Sequence, residues 1–452
     1  MIGPARVAAY ETLLAVENGR ADLPHALAHA RQSLEDERDR ALAGEIVNGT
    51  LRWQGAFDHI VEQFTRRPAG RMDAEVLVVV RLTMFQLLHL DRVPASAAVN
   101  DAVSLTRRAG KRSAAPLVNA VLRRVSRERN RLPLPPRPGS DADREAALDY
   151  LSITLSHPRW LVARWLDRYG FDRAASWAAF NNTPAALTLR ANRLRITAAG
   201  LAAALADLDV ETQPAHLAPD GLIVARGNPL LTALAGQGLF VVQEEASQLV
   251  PFMTGVRPGE RVLDACASPG GKTIAMAGMM EDRGLIAACD VRRPRVELLI
   301  QTVAASGARC IHILQADASS PLPFGRVFDC VLLDAPCSGL GTVRRDPDVK
   351  WRRRESDFVQ LSRLQLEMLR QTAAVLKPGG RLIYSTCSSE PEENEDVVRA
   401  FAAVSGMEPA APPRLPPGMG PLVNDMGHLR TYPFRDGVEA FFAAILRSGV
   451  RS

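Results

Sequence analysis

The sequence has no run of ~18 consecutive apolar residues, so a membrane-spanning helix is not expected. It has no CxxC pair, and none of its six cysteines (266, 289, 310, 330, 337 and 387) comes before residue 266. That excludes a dense disulfide scaffold and points to a reduced, cytoplasmic protein. The first residues lack the apolar core and small-residue cleavage site of a secretory signal, so none is expected. Lysine is scarce, four of 55 basic residues, but this bias runs through the whole chain and carries little weight. There is no G-x-G-x-x-G, which argues against a dinucleotide. The Gly-Lys-Thr at 271–273 imitates a P-loop, but Cys266 stands where that loop needs its first glycine. No metal site is expected. With 47% hydrophobic and 23% charged residues, the chain is not disordered, and its 452 residues suggest several domains.

What is present is uneven. The first 140 residues hold 21 basic against 15 acidic side chains, and Arg107 to Arg131 holds nine basic residues against Glu128 alone. Such a stripe suits a phosphate backbone. Apolar residues at three- and four-residue spacing predict six or seven helices over 1–131, with Gly19 and Gly110 at helix ends. The proline-rich 132–140 reads as a linker. Residues 141–236 read as a small α+β domain, with strands in AALTLRAN and GLIVA; Trp160, Trp165 and Trp177 are expected to pack in a core.

From 237 onward, short apolar runs alternate with helical stretches. LFVV, RVLDA, LIAACD, CIHIL, VFDCVLLD and RLIYST predict a largely parallel, doubly wound sheet, and EAFFAAIL predicts an antiparallel addition. In such sheets ligands sit beyond the strands' carboxyl ends. RVLDACASPGGKT makes a glycine-rich strand-to-helix turn there, and Asp264, Asp290, Asp317 and Asp334 each follow a strand. Carboxylates at such a site favour a positively charged adenosine ligand, and the sulfonium S-adenosylmethionine fits. Cys337 and Cys387 lie just beyond two strands and are expected to face one crevice. Ser389-Glu390-Pro391-Glu392 reads as a capping box, which would set Cys387 beside a helix N-terminus and favour its thiolate. A thiolate adding at C6 of cytosine turns C5 into a nucleophile for a methyl sulfonium. Cys266, Cys289, Cys310 and Cys330 lie in or beside apolar runs and read as core.

LDACASPGGKT, LLDAPCSGLGTVRRDPDVKW and YSTCSSEPEENEDVV closely resemble the motifs of RNA cytosine-5 methyltransferases, over about residues 141–452. NDAVSLTRRAG and PLVNAVLRR resemble the NusB-type helical RNA-binding fold. The combination is similar to the bacterial small-subunit (16S) rRNA type. The resemblance implies a multidomain chain: an all-α NusB-like bundle (1–131), the linker, a small α+β domain (141–236) and a Rossmann-like α/β class I methyltransferase (237–452). It implies Cys387 as nucleophile, Cys337 as the group assisting product release, and Asp334 on the cytosine edge. It implies S-adenosylmethionine held by Cys266, Ala267, Ser268, Pro269, Gly270, Gly271, Lys272, Asp290, Asp317 and Asp334. RDGVEAFFAAIL departs from the family's last motif. The basic loop VRRDPDVKWRRRE (343–355) is expected to grip RNA phosphates. The expected partner is rRNA, with no membrane, and the expected state is a monomer. A tRNA methyltransferase and a non-catalytic rRNA-binding assembly factor are the alternatives. The target cytosine must be unstacked for its C5 and C6 to be reached.

Overall fold

The computed structural model describes residues 2–91, 93–139, 143–413 and 415–448. Met1, Ser140, Asp141 and Ser452, which bound expected segments, lie outside these, as does Arg414 in the proline-rich stretch 408–421. The chain divides into two units: Met1–Pro184 with Val343–Arg352, and Ala185–Thr342 with Arg353–Ser452.

In the first unit, helices α1 (Pro4–Glu17), α2 (Leu23–Gln32), α3 (Glu37–Thr65), α4 (Ala74–His89), α5 (Ala95–Arg108) and α6 (Ala115–Arg127) form the expected bundle. Asp22 and Asp36 cap α2 and α3 by accepting from the amides of His25 and Arg38. Gly19 and Gly110 follow α1 and α5 at positive φ, which lets the chain turn out of each helix. The bundle core is built mainly from α3 and α4, with residues such as Ile46, Phe57, Val79 and Leu82 fully enclosed. Beyond it come α7 (Arg144–Asp149), α8 (Arg159–Tyr169) and α9 (Phe171–Asn181). Trp165 and Trp177 are fully buried and stack with centroids 4.6 Å apart, so both are core residues.

His157 is sealed in the same unit at 1% exposure. Its Nδ1 lies 2.6 Å from the Leu155 carbonyl, and its Nε2 lies 3.2 Å from the Asn181 amide nitrogen. With the Asn181 side chain so oriented, this pairing suits the neutral ring: Nδ1–H donates and Nε2 accepts. Burial, and then the charge of Lys350, hold its pKa well below 6.5. Above pH ~6.5 neither folded nor unfolded chain protonates this ring. Below it the unfolded chain binds the proton first, so stability falls as the pH falls, by at most about 1.4 kcal/mol per pH unit. All five tryptophans (53, 160, 165, 177 and 351) lie in this unit, so their fluorescence reports it selectively. Its Tm is expected to drop between pH 7 and 5.5, and to drop less in His157→Gln. Equal drops would show that His157 does not titrate in this way.

The second unit contains two sheets. β1 (Thr188–Ala191), β2 (Glu211–Pro214), β3 (Gly221–Arg226) and β4 (Phe240–Val242) pair antiparallel in the order β2-β3-β1-β4. LFVV is therefore a strand of the small sheet and not the first strand of the large one. Its backbone pairs with Leu189–Ala191, a partner that its apolar composition does not disclose. β2, whose exposed polar residues carry no strand-like pattern, is a strand that the sequence does not predict.

The large sheet holds β5 (Arg261–Asp264), β6 (Leu285–Asp290), β7 (Ile311–Gln315), β8 (Phe328–Asp334), β9 (Leu376–Thr386), β10 (Met407–Pro409), β11 (Leu429–Arg430) and β12 (Phe442–Ser448). Its order is β10-β12-β9-β8-β5-β6-β7, with β11 on β12. The strands from β7 across to β9 run parallel, while β12 is antiparallel to β9, as expected for EAFFAAIL. Alternate residues feed two cores. Val262, Cys330, Leu332 and Ile383 face one, and Leu263, Val331, Leu333 and Tyr384 face the other, so helices cover both sides. The chain leaves β5 toward β6 and β7, then returns to lay β8 on β5's other edge. The switch point therefore lies between β5 and β8, where this architecture opens its ligand crevice.

Candidate active site

The turn after β5 leads through Ala265–Gly270 into the helix Gly271–Met279. Gly270 has φ +105°, and a Cβ there would meet Leu299 Cδ1 at 3.0 Å. Gly270→Ala is expected to lower stability by about 1–2 kcal/mol and to weaken binding of S-adenosylmethionine, both readable by calorimetry. Unchanged affinity would remove the turn from the binding site. Asp264 ends β5 fully buried and accepts from Thr273 Oγ1 at 2.7 Å, which ties strand to helix. Burial pushes its pKa up to about 7 against that hydrogen bond. Its Oδ1 has no protein partner.

The strand-end carboxylates do not all converge. Asp264, Asp334 and Asp290 all act electrostatically on Cys266, and together with burial they hold that thiol protonated. Asp290 is 4% exposed, with Arg295 Nε at 3.4 Å and the Arg292 amide at 3.3 Å. Asp317 is exposed; the Ser319 hydroxyl and amide bind it and hold its carboxyl below the usual range. Ser268 Oγ donates to the Arg295 carbonyl, and the Arg295 guanidinium donates back to the Ser268 carbonyl, so the turn is laced to the following helix. Cys289, Cys310 and Cys330 are buried and Cys266 is half-buried.

Asp334 sits where β8 ends. Its Oδ2 accepts from Lys272 Nζ at 2.7 Å and its Oδ1 from Ser385 Oγ at 2.8 Å. Lys272, expected only beside a cofactor, is thus the ion partner of Asp334. Three residues on, Cys337 meets Cys387, the residue after β9, with the two sulfurs 3.4 Å apart. The cysteines, 50 residues apart in sequence, do meet, and both remain half-buried. The hydrogen bond with Cys387 raises the Cys337 pKa most, followed by burial, the charge of Cys387 and that of Glu393. Cys337 is therefore held toward its protonated form.

The expected capping box does not form. Ser389–Glu393 includes a single 3-10 turn, Pro391–Glu393, and the α-helix begins at Glu395 without a side-chain cap. Ser389 Oγ donates to Glu390 instead of a helix amide. Asn394, which precedes the helix, is drawn toward the cysteine loop: it accepts from Thr386 Oγ1 and donates to the Ser388 carbonyl. The Cys337 thiol is a neighbour of Cys387.

The loop 343–355 also differs from its expected role. Lys350 is fully buried in the first unit and donates to the carbonyls of Arg52 and Ser156 at 2.9 and 2.6 Å. Trp351 Nε1 donates to the Leu51 carbonyl, in a space left by Gly55, where a Cβ would meet the indole at 2.9 Å. In the second unit, Arg353 donates to the carbonyls of Ser338 and Cys337. Of the run's six basic side chains, Arg344, Lys350 and Arg353 donate to backbone carbonyls, while Arg345 and Arg352 pair with Asp346 and Asp348. Charge pattern alone could not separate this from phosphate binding, because both need donors.

Cations face outward on α5 and α6. Two adjoining cavities of about 440 and 520 Å³ share Asn100 and carry Arg107, Arg112, Arg123 and Arg127 with no acid in their lining. Among the described residues, no ion pair engages Arg107, Arg112 or Arg123, whereas Arg124 and Arg127 reach Glu128. No described helix is long and apolar enough to cross a membrane.

Family profiles match three stretches: the 16S rRNA methyltransferase RsmB/F over residues 252–447, the NusB family over 4–127, and the RsmF/B-like ferredoxin-like domain over 157–230. The probable ribosomal RNA small subunit methyltransferase B of Bacillus subtilis (strain 168) is 33% identical over 97% of both chains. The chain belongs to the RsmB/F methyltransferase family. Among solved structures, PH0851 is similar over 99% of both chains, with TM-score 0.80 and 25% identity. A methyltransferase homologue from Pyrococcus horikoshii is similar over 68% of this chain and all of its own, with TM-score 0.58 and 29% identity. The architecture is that of the family: a NusB-like helical domain, a small ferredoxin-like domain and a methyltransferase domain with a mixed sheet.

Proposed function

We propose that the protein transfers a methyl group from S-adenosylmethionine to C5 of an unstacked cytosine in 16S rRNA, through a transient bond between Cys387 and C6. The observation that carries this is the 3.4 Å thiol pair at the ends of β8 and β9, beside Asp334. The residues fit the cofactor. The glycine turn allows close approach, Asp264 keeps one buried oxygen without a partner, and Asp290 and Asp334 supply negative charge near a sulfonium. When bound, S-adenosylmethionine supplies the electrophilic methyl group.

The chain's own residues do the rest. Asp334, held by Lys272 and Ser385, accepts from the exocyclic amine of cytosine, a donor that uracil lacks. Cys387, as thiolate, adds to C6, and C5 becomes nucleophilic. Once its electrons are in the S–C6 bond, Cys387 no longer accepts the hydrogen bond, nor carries the charge, that together with burial raised the Cys337 pKa. Cys337 then loses its proton to solvent, takes the C5 proton, and the electron pair of the breaking S–C6 bond returns to Cys387. RNA engagement falls to the helices within residues 1–131 and methyl transfer to 237–452. All six cysteines are free, which suits a reducing cytoplasm, and the chain acts as a monomer.

Bisulfite sequencing of 16S rRNA from cells with and without the gene tests this reading. Loss of one protected cytosine is expected. An unchanged rRNA pattern with a protected site lost from tRNA would move the substrate, and no change in either RNA would leave a binding factor. The α5–α6 cavities also predict that Arg107→Ala with Arg112→Ala weakens RNA binding and lowers the slope of log affinity against log salt by about 2. A slope equal to that of the parent protein would place the RNA elsewhere.

A further inference from the structure

Glu393 is 0% exposed, yet among the described residues no cation pairs with its carboxylate. Its Oε1 accepts from the Ser338 amide at 2.8 Å and from Gln365 Nε2 at 3.1 Å. Its Oε2 accepts from Ser388 Oγ at 2.5 Å. Ser338 follows Cys337, and Ser388 follows Cys387. The two serine hydroxyls are themselves 3.2 Å apart. Gln365 also donates to the Pro336 carbonyl, so the residue before Cys337 is tied in as well. Tyr384, on β9, donates to the backbone carbonyl of Glu393 at 2.6 Å, which fixes the short turn that carries the carboxylate.

We propose that Glu393 is the positioning residue of the thiol pair: its buried carboxylate holds the residue after each cysteine and so sets the separation of the two sulfurs. The proposal rests on the reading of Cys337 and Cys387 as the reacting pair. A buried carboxylate without a cation is costly unless its hydrogen bonds are complete. Here its three donors belong to the two cysteine loops and to the helix behind them. No other described carboxylate joins the residues following both cysteines. The negative charge adds a second effect, since it helps keep the Cys337 proton in place until Cys387 is consumed. A neutral amide at this position would lose that charge and would turn one acceptor oxygen into a donor facing groups that already donate.

The test uses the full chain with two separate readouts. The first is the rate at which diamide closes a Cys337–Cys387 disulfide: two thiols give up two protons and two electrons, and the diazene is reduced to the hydrazine. This needs no RNA and reads how well the two sulfurs meet: losing the Glu393 charge alone would favour thiolate and speed closure, so a slower rate reports their separation. The second is methyl transfer, split into kcat and KM for RNA. In Glu393→Gln, disulfide closure is expected to slow about tenfold, and kcat to fall about 100-fold with KM for RNA within about twofold of the parent. Glu393→Asp, which keeps the charge on a shorter arm, is expected to recover part of both. Parent-like closure and kcat in Glu393→Gln would overturn the proposal.

Should that variant fail to fold, Ser388→Ala removes the Oε2 link while leaving the carboxylate, at the loss also of the hydroxyl's contacts with Ser338 Oγ and the Glu390 amide. It is expected to slow closure and lower kcat about tenfold, and parent-like values would equally overturn the clamp. Slowed closure in a protein that methylates no RNA would leave the clamp standing and remove the methyltransferase reading instead.

Discussion

Cys387→Ala is expected to abolish methyl transfer, by on the order of 10⁴-fold or more, and to leave no covalent protein–RNA adduct. Cys337→Ala is expected to behave differently. Its Cys387 should still attack C6 and the cytosine C5 should still take the methyl group, but turnover should fall about 10²–10⁴-fold because the C5 proton has lost its base. Adduct should therefore accumulate and run as a shifted band on denaturing gels with S-adenosylmethionine present. The asymmetry belongs to the proposed roles. Each sulfur is the other's neighbour at 3.4 Å, and the hydrogen bond with Cys387, burial and the charges of Cys387 and Glu393 raise the Cys337 pKa. If the Cys387 variant forms adduct and the Cys337 variant does not, the two roles are reversed. If neither matters to transfer, the covalent route is wrong.

Lys350→Ala is expected to destabilise the first unit by about 4 kcal/mol, combining the loss of two buried hydrogen bonds and a cavity where the side chain lay. The Lys350 amine lies at 0% exposure between the carbonyls of Arg52 and Ser156, with its nitrogen 5.1 Å from the centre of the Trp351 ring. Burial, and then the charge of Arg52, push its pKa well down. Its amine donates to both of these carbonyls. Lys350→Met keeps the bulk and loses only the donors, so it is expected to cost about 2 kcal/mol. Tryptophan fluorescence during urea unfolding measures both. Equal losses in the two variants would show that volume, not hydrogen bonding, is what Lys350 supplies. A loss below about 0.5 kcal/mol in either would place the side chain in solvent.

The sequence alone disclosed the turn of glycines, the acids at strand ends and the two cysteines in polar contexts, because a parallel strand followed by a helix leaves a local signature of apolar run, small residues and cap. It also disclosed the helical N-terminal domain through its three- and four-residue spacing. Other features needed partners distant in the chain. Phe240–Val242 joins the small sheet because Leu189–Ala191 pairs with it, and nothing within the strand itself says so. Ser389–Glu392 has the composition of a capping box, but Asn394 and Glu393 are drawn to the cysteine loops before a helix can begin. Lys350 carries the charge expected for phosphate, yet two carbonyls far along the chain enclose it.

What the residues determined by themselves was the inventory: which groups stand at the ends of strands, and that they suit a sulfonium, a thiolate and a pyrimidine. Only the tertiary structure decided which of them meet. It brought the sulfurs of Cys337 and Cys387 together, gave Lys272 to Asp334, left Asp317 exposed beside Ser319, and set Glu393 behind both thiols. The physical reason is that hydrogen bonds and ion pairs act over about 3 Å, whereas most of the groups that meet here lie tens of residues apart, and the parallel pairing of β8 with both β9 and β5 closes that distance.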